Sequence, residues 1–141
     1  VNLDFQTGVA ANTLVFGQIR WVDWSGSTIN IPPAIAGALG GPLLTYAEDR
    51  ISYTLGVGRK FNDTWSGAVT LGYEPSAGGI FSPLSPNDGY RSIGLGVTYT
   101  LDNMKISGGV RYVEVGDALT ALGPFNDNTA VGVGVKVGWT F

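Results

Sequence analysis

The sequence predicts an all-β chain, an antiparallel up-and-down β-barrel of the transmembrane kind. Three observations predict it. The stretch Thr129 to Phe141, T-A-V-G-V-G-V-K-V-G-W-T-F, puts Val131, Val133, Val135, Val137, Trp139 and Phe141 at one parity. Ala130, Gly132, Gly134, Lys136, Gly138 and Thr140 occupy the other. A period of two is a β-strand with two unlike faces. Large side chains opposite glycine suit a wall between lipid and a crowded interior. Second, only 13% of the 141 residues are charged, about half the usual soluble share. Yet no run of about 18 apolar residues exists to form a spanning helix. Third, short polar turns alternate with long Gly- and Pro-rich connections, as in outer-membrane barrels.

The strands follow in order. Val1 to Ala10 alternates, with Val1, Leu3, Phe5, Thr7 and Val9 on one face and Asn2, Asp4, Gln6, Gly8 and Ala10 on the other. A turn at Ala11-Asn12-Thr13 leads into Leu14 to Ser25. There Gln18 and Arg20 mark the interior face, because charge on lipid is costly. Phe16, Val22 and Trp24 share that face, so Val15, Gly17, Ile19 and Trp21 point outward. Gly26 to Pro42 is a long connection whose prolines and glycines exclude a central strand. Leu43 to Phe61 holds the third strand, with Ile51, Tyr53, Leu55 and Val57 against Ser52, Thr54, Gly56 and Gly58. Asn62-Asp63-Thr64 is a tight turn.

Trp65 to Glu74 is the fourth strand, with Trp65, Val69, Leu71 and Tyr73 outward. Pro75 to Gly89 is the second long connection. Tyr90 to Leu101 turns Ile93, Leu95, Val97, Tyr99 and Leu101 outward, and Asp102-Asn103 is the next tight turn. Met104 to Val115 places Ile106, Val110 and Tyr112 outward, with Lys105, Ser107, Gly109 and Arg111 inward. Gly116 to Asn128 is the third long connection, and the terminal strand follows. Aromatic residues mark both ends of the outward face: Trp65, Tyr99 and Trp139 at one, Trp21, Tyr53, Tyr73 and Tyr112 at the other. Such rows are expected at the two membrane interfaces.

Seven strands is an odd number. Single-chain bacterial barrels have even numbers, and the first and seventh strands here run the same way. The expectation is therefore half of a fourteen-stranded barrel, residues 1–141 forming one segment, with the N-terminal half missing. Val1 opens directly into a strand pattern, so no signal peptide is visible. A soluble sandwich or lipid-binding barrel also alternates. Its polar face would be a water-exposed surface, normally about a quarter to a third charged. Here that face is mostly Gly, Ser and Thr.

Composition also limits chemistry. The net charge is −3 and no basic cluster exists, which argues against nucleic acid. There is no Cys and no His. That excludes disulfides, thiolate metal sites and Ser-His hydrolysis. No P-loop or EF-hand spacing occurs. No cofactor, metal site or enzymatic activity is expected.

The stretch L-V-F-G-Q-I-R-W-V-D-W-S (14–25) resembles a strand of the FadL-type long-chain fatty acid transporters of the bacterial outer membrane. V-N-L-D-F-Q-T-G-V-A-A-N-T, R-K-F-N-D-T-W-S, L-G-Y-E-P-S and the closing N-T-A-V-G-V-G-V-K-V-G-W-T-F are also similar to that family. The resemblance covers the carboxy-terminal half of such a transporter. It implies a plugged fourteen-stranded barrel in the outer membrane of a Gram-negative bacterium. Its function would be passive uptake of long-chain fatty acids or other hydrophobic compounds. Its partners would be membrane lipid and lipopolysaccharide, a hydrophobic small molecule, and the missing half of the barrel. A structural or adhesion barrel without transport remains open, as does a soluble lipid-binding barrel. Detergent dependence separates the soluble barrel from the others, and co-purifying lipid separates transport from adhesion.

Two groups of residues are candidates for ligand contact. Phe16, Gln18, Arg20, Val22 and Trp24 form an inward stripe that could line a passage, with Arg111 on the same face. Arg20 could fork onto a carboxylate, or it could simply pair with Asp4 or Glu74. Lys105, Arg111 and Lys136 suit interior ion pairs. The second group is Ile31, Ile35, Leu39, Leu43 and Leu44, an uncharged apolar set in an outer connection. Exposed apolar patches mark ligand or partner sites, so this set could capture a hydrophobic solute or could pack over the barrel mouth.

Overall fold

The computed structural model describes residues 1–24, 28–29, 32–33, 44–45, 48–82 and 84–140. Twelve strands occur among them: β1 (Asn2–Ala10), β2 (Thr13–Val22), β3 (Thr28–Ile29), β4 (Leu44–Thr45), β5 (Arg50–Lys60), β6 (Trp65–Glu74), β7 (Ile80–Phe81), β8 (Tyr90–Leu101), β9 (Met104–Val115), β10 (Ala118–Thr120), β11 (Gly123–Phe125) and β12 (Thr129–Trp139). Seven of these are long, and they form one sheet in the order β1-β2-β5-β6-β8-β9-β12. Every neighbouring pair in that sheet is antiparallel. The seven strands expected from alternation are therefore all present. β2 ends at Val22 rather than at the expected Ser25 boundary.

Two unlike faces run unbroken across the sheet. The registers place Gln18 opposite Thr54, Thr54 opposite Gly72, Gly72 opposite Ser92 and Ser92 opposite Val113. One step away, Gly17 meets Leu55, Leu55 meets Leu71, Leu71 meets Ile93 and Ile93 meets Tyr112. Each strand thus shows its small or polar parity on the same side as its neighbours. A one-residue slip anywhere would have exchanged the faces. One local irregularity exists. A bulge at Val9 sets Ala10 opposite Thr13 after Gly8 opposite Leu14, so Ala10 leaves the polar face assigned to it from alternation.

The apolar face is bare. No large side chain among the described residues is fully buried, and the apolar core reduces to Ala118, 2% exposed. Leu55, Leu71, Leu95 and Val97 stay about half exposed in mid-sheet. Charges on this face sit only near strand ends, at Arg59, Arg91 and Glu114. Aromatic residues lie beside them. Trp65 is directly opposite Tyr99, with ring centroids 4.8 Å apart, and Tyr53 is opposite Tyr73.

The short turns gather at one end of the sheet. Asn12 and Asp102 adopt left-handed backbone angles, φ 58° and 36°, which Asn and Asp tolerate better than most residues. In the middle turn Asn62 Oδ1 accepts the N–H groups of Thr64 and Trp65, at 2.9 and 2.8 Å. Lys60 Nζ lies 2.7 Å from Asp63 Oδ1 and holds that exposed carboxyl below the usual carboxylate range.

The long connections gather at the other end, and they carry structure that alternation alone did not indicate. β3 pairs with β4. β10 and β11 form a hairpin, and β10 also pairs in parallel with β7 from the preceding connection. The sheet has two edges, β1 and β12, which are not paired with each other. β12 is exposed on both faces, with Val131, Val133, Val135 and Val137 between 61% and 78% exposed.

Gly116 joins β9 to this end. A Cβ there would run into the Asp88 carbonyl, whereas one on Gly132 would meet nothing within 4 Å. Gly116→Ala should therefore lower unfolding free energy by about 1–3 kcal/mol. Gly132→Ala should stay within about 0.5 kcal/mol of the parent. Urea unfolding midpoints of the two variants test the contrast.

Candidate functional site

The polar face supplies room as well as polarity. Phe16 lies across Gly56, and a Cβ on that glycine would strike its ring. Opposite glycine, an aromatic side chain can lie flat along the wall instead of projecting away from it. Nearer the long-connection end this face opens into a cleft of about 360 Å³. Arg20, Val22, Trp24, Arg50, Phe81 and Tyr90 are among its walls, together with Glu48 and Glu74. Two guanidinium groups and two carboxylates thus stand beside aromatic rings, which makes the cleft amphipathic.

Strand parity delivers these side chains. Arg20 stands opposite Ser52, and Val22 stands opposite Arg50. Two arginines on adjacent strands therefore enter one cleft, but they differ in pairing. Arg50 Nη1 is 3.2 Å from Asp88 Oδ1 and 3.8 Å from Glu74 Oε1, and its guanidinium lies 5.4 Å from the Phe81 ring centroid. Arg20 pairs with neither of the partners considered for it. Asp4 instead accepts a hydrogen bond of 2.6 Å from Gln18, and Glu74 faces Arg50.

Asp88 is the hub of the long-connection end. Its carboxylate accepts N–H bonds from Ala77 and Gly78, at 2.6 and 2.9 Å. Ser76 Oγ donates to its carbonyl oxygen, and its own N–H donates to the Gly116 carbonyl. Although it lies in a connection, it is only 5% exposed. A buried carboxylate needs such partners, since desolvating an unpaired charge is strongly unfavourable.

Of the stripe expected from sequence, the structure brings Arg20, Val22 and Trp24 together in the cleft. Gln18 is tied to Asp4 and Phe16 lies over Gly56. Arg111 is on the same face but on β9, where it donates to Ser92 Oγ at 2.9 Å and lies 5.7 Å from the Tyr90 ring centroid. Its observed contacts are a hydroxyl and a ring rather than an interior ion pair. Ile31, Ile35, Leu39 and Leu43 lie outside the described residues, and Leu44 is described only as part of β4. Phe141 lies outside them too. Sequence reasoning missed Arg50, Phe81, Asp88 and Tyr90 as cleft or hub residues. The available signal was parity: Arg50 shares that of Ser52 and Thr54, and Tyr90 that of Ser92 and Gly94.

No group of three or more metal-ligating side chains occurs among the described residues. No helix among them is long and apolar enough to cross a membrane, which says nothing about crossing with strands. Comparison with family models, curated proteins and solved structures finds no match to this chain.

The differing partners of the two arginines predict different costs of removal. Arg50→Met leaves Glu74 and Asp88 facing each other without a cation, and should cost about 3 kcal/mol. Arg20→Met removes no ion pair among the described residues and should change stability by no more than about 0.5 kcal/mol. Chemical unfolding of both variants at neutral pH checks this.

Proposed function

We propose that this chain is one wall of a transmembrane β-barrel in the outer membrane of a Gram-negative bacterium. Its role is passive, non-catalytic uptake of long-chain fatty acids or other hydrophobic compounds. The observation that carries the reading is the two-faced sheet. A continuous band of Leu, Ile, Val and aromatic side chains lies bare on one side, and Gly, Ser and Thr lie on the other. In water such a band would be strongly unfavourable, at roughly 25 cal/mol per Å² of apolar surface. In lipid it is the solvated state. Charges confined to the band's ends and aromatic pairs beside them fit the two interfaces. The long strands, 9 to 12 residues each, fit the roughly 9–11 residues that a tilted spanning strand needs.

The bare edges fit the same reading. Open edges are not tolerated in lipid, so β1 and β12 need strands on their free sides. Because these two strands run the same way, a partner sheet that joins both edges antiparallel must itself have an odd number of strands. A seven-stranded half from the same barrel meets that condition. The family resemblance points to the same arrangement. In the proposed pathway a hydrophobic molecule partitions from the long-connection end into the cleft. There Trp24 and Phe81 provide aromatic surface and Arg20 meets an anionic head.

Two experiments test this. Val97→Arg, on the apolar band, should weaken folding into lipid vesicles by about 2–4 kcal/mol. Gly96→Ser, its neighbour on the polar face, should be mild. Equal effects in urea titrations would remove the lipid-facing assignment. For transport, Arg20→Ala combined with Trp24→Ala should slow uptake of a labelled long-chain fatty acid by cells carrying the full-length protein. Normal heat-modifiability on gels would show the barrel intact. Unchanged uptake at normal protein levels would reject the cleft as the passage.

A further inference from the structure

The cleft has a wall that is not part of the barrel sheet. Phe81 belongs to β7, a two-residue strand within the second long connection, and it closes the cleft beside Arg50. Among the described residues two kinds of contact hold β7 in place: its parallel pairing of Ile80 with Leu119 and of Phe81 with Thr120, and the Arg50–Phe81 stack. Both are small compared with the six long ladders of the main sheet.

The attachments on either side differ. Just before β7 come Gly78 and Gly79, both in left-handed backbone conformation, φ 78° and 107°. A Cβ on either would meet nothing within 4 Å. Adjacent glycines in open space form a hinge, because neither side-chain sterics nor packing fixes their backbone angles. Beyond β7 the chain reaches Asp88 and Gly89, which are tied to Gly116 by backbone hydrogen bonds. Asp88 also bonds Ser76, Ala77 and the Gly78 N–H, contacts that lie before Gly79 and involve no residue of β7. Moving β7 therefore breaks the stack and the two-residue pairing while the post at Asp88 stays whole.

We infer that β7 is a lid over the cleft, hinged at Gly78–Gly79 and latched by Arg50 against Phe81, which opens to admit solute. Phe81 and Ile80 both line the cleft. Ile80 is 73% exposed and stands beside Leu119, itself 53% exposed. A hydrophobic solute can thus stay on apolar surface from rim to interior while Phe81 swings. Arg50 is a positioning residue here: it holds the ring over the opening and leaves the anionic head to Arg20.

This inference rests on the uptake reading, and its test separates the two. The chain has no cysteine, so an introduced pair is unambiguous. Paired strands lie about 4.7–4.9 Å apart, within the range a disulfide can bridge. Ile80→Cys with Leu119→Cys in the full-length protein should form a disulfide on oxidation. Uptake of a labelled long-chain fatty acid should then fall roughly tenfold and recover with reductant, while uptake by each single variant should not respond to oxidant or reductant. In parallel, Phe81→Leu, which removes the ring from the stack and leaves the Arg50–Asp88 pair in place, should raise hydrogen exchange of residues 79–82 in detergent-solubilised protein roughly tenfold, with little change at Asp88 and Gly89. The exchange measurement needs no transport. Unchanged exchange in Phe81→Leu would refute the latch even if the protein transports nothing. Normal uptake with the cross-link verified by mass spectrometry would refute the gate while leaving the uptake reading standing.

Discussion

Strict alternation of large and small side chains, kept in phase through six consecutive antiparallel pairings, is the constraint on which this structure depends. A sheet that presents glycine along one face and valine or leucine along the other tolerates no slip in register. The tight turns help to enforce it. Asn12 and Asp102 take up backbone angles that close the connections within a few residues, and Asn62 ties the first amides of the next strand with its side chain. Once those turns set the pairing, every strand inherits its facing from its neighbour. The bulge at Val9 lies in β1 at the sheet edge, where only one partner has to accommodate it.

The same alternation leaves the sheet without a core of its own. The mid-sheet leucines and valines touch one another along the surface but nothing covers them. The sheet's internal order comes from its hydrogen-bonded ladders and cross-strand pairs such as Trp65 with Tyr99. The remaining apolar free energy depends on whatever lies against that face. Placing lipid there, as proposed, turns an unfavourable surface into a solvated one and accounts for the position of the few charges on it. The glycine face serves a complementary purpose. It leaves room for Phe16 to lie along the wall over Gly56 and for Arg20 and Arg50 to share a cleft.

At the long-connection end the physics changes from sheet pairing to polar satisfaction. Asp88 is buried, so its charge and both oxygens need partners, and two backbone amides and Arg50 supply them. That requirement draws the start of β5 and the turn after β6 together, and the Asp88 N–H adds the end of β9 through the Gly116 carbonyl. The β7–β10 pairing then adds a thin wall above the sheet. Main-sheet rigidity and a lightly held wall above the cleft are thus separate features, made by separate interactions.

By itself the sequence determined the seven long strands, the turns between them and the face on which nearly every side chain lies. Period two is a local property, and Val131 to Trp139 or Ile93 to Leu101 display it without reference to any other segment. It also placed Arg20, Val22 and Trp24 on one stripe. Only the tertiary structure decided what they face. Arg50 and Asp88 are 38 positions apart, and β7 and β10 lie in different connections. Nothing local in either partner signals the other, because such contacts depend on which strand ends the meander brings side by side. For the same reason Glu74 looked like a partner for Arg20, and nothing near Asp88 marked it as a hub. Burial and proximity, which no periodicity records, assigned both of them to Arg50.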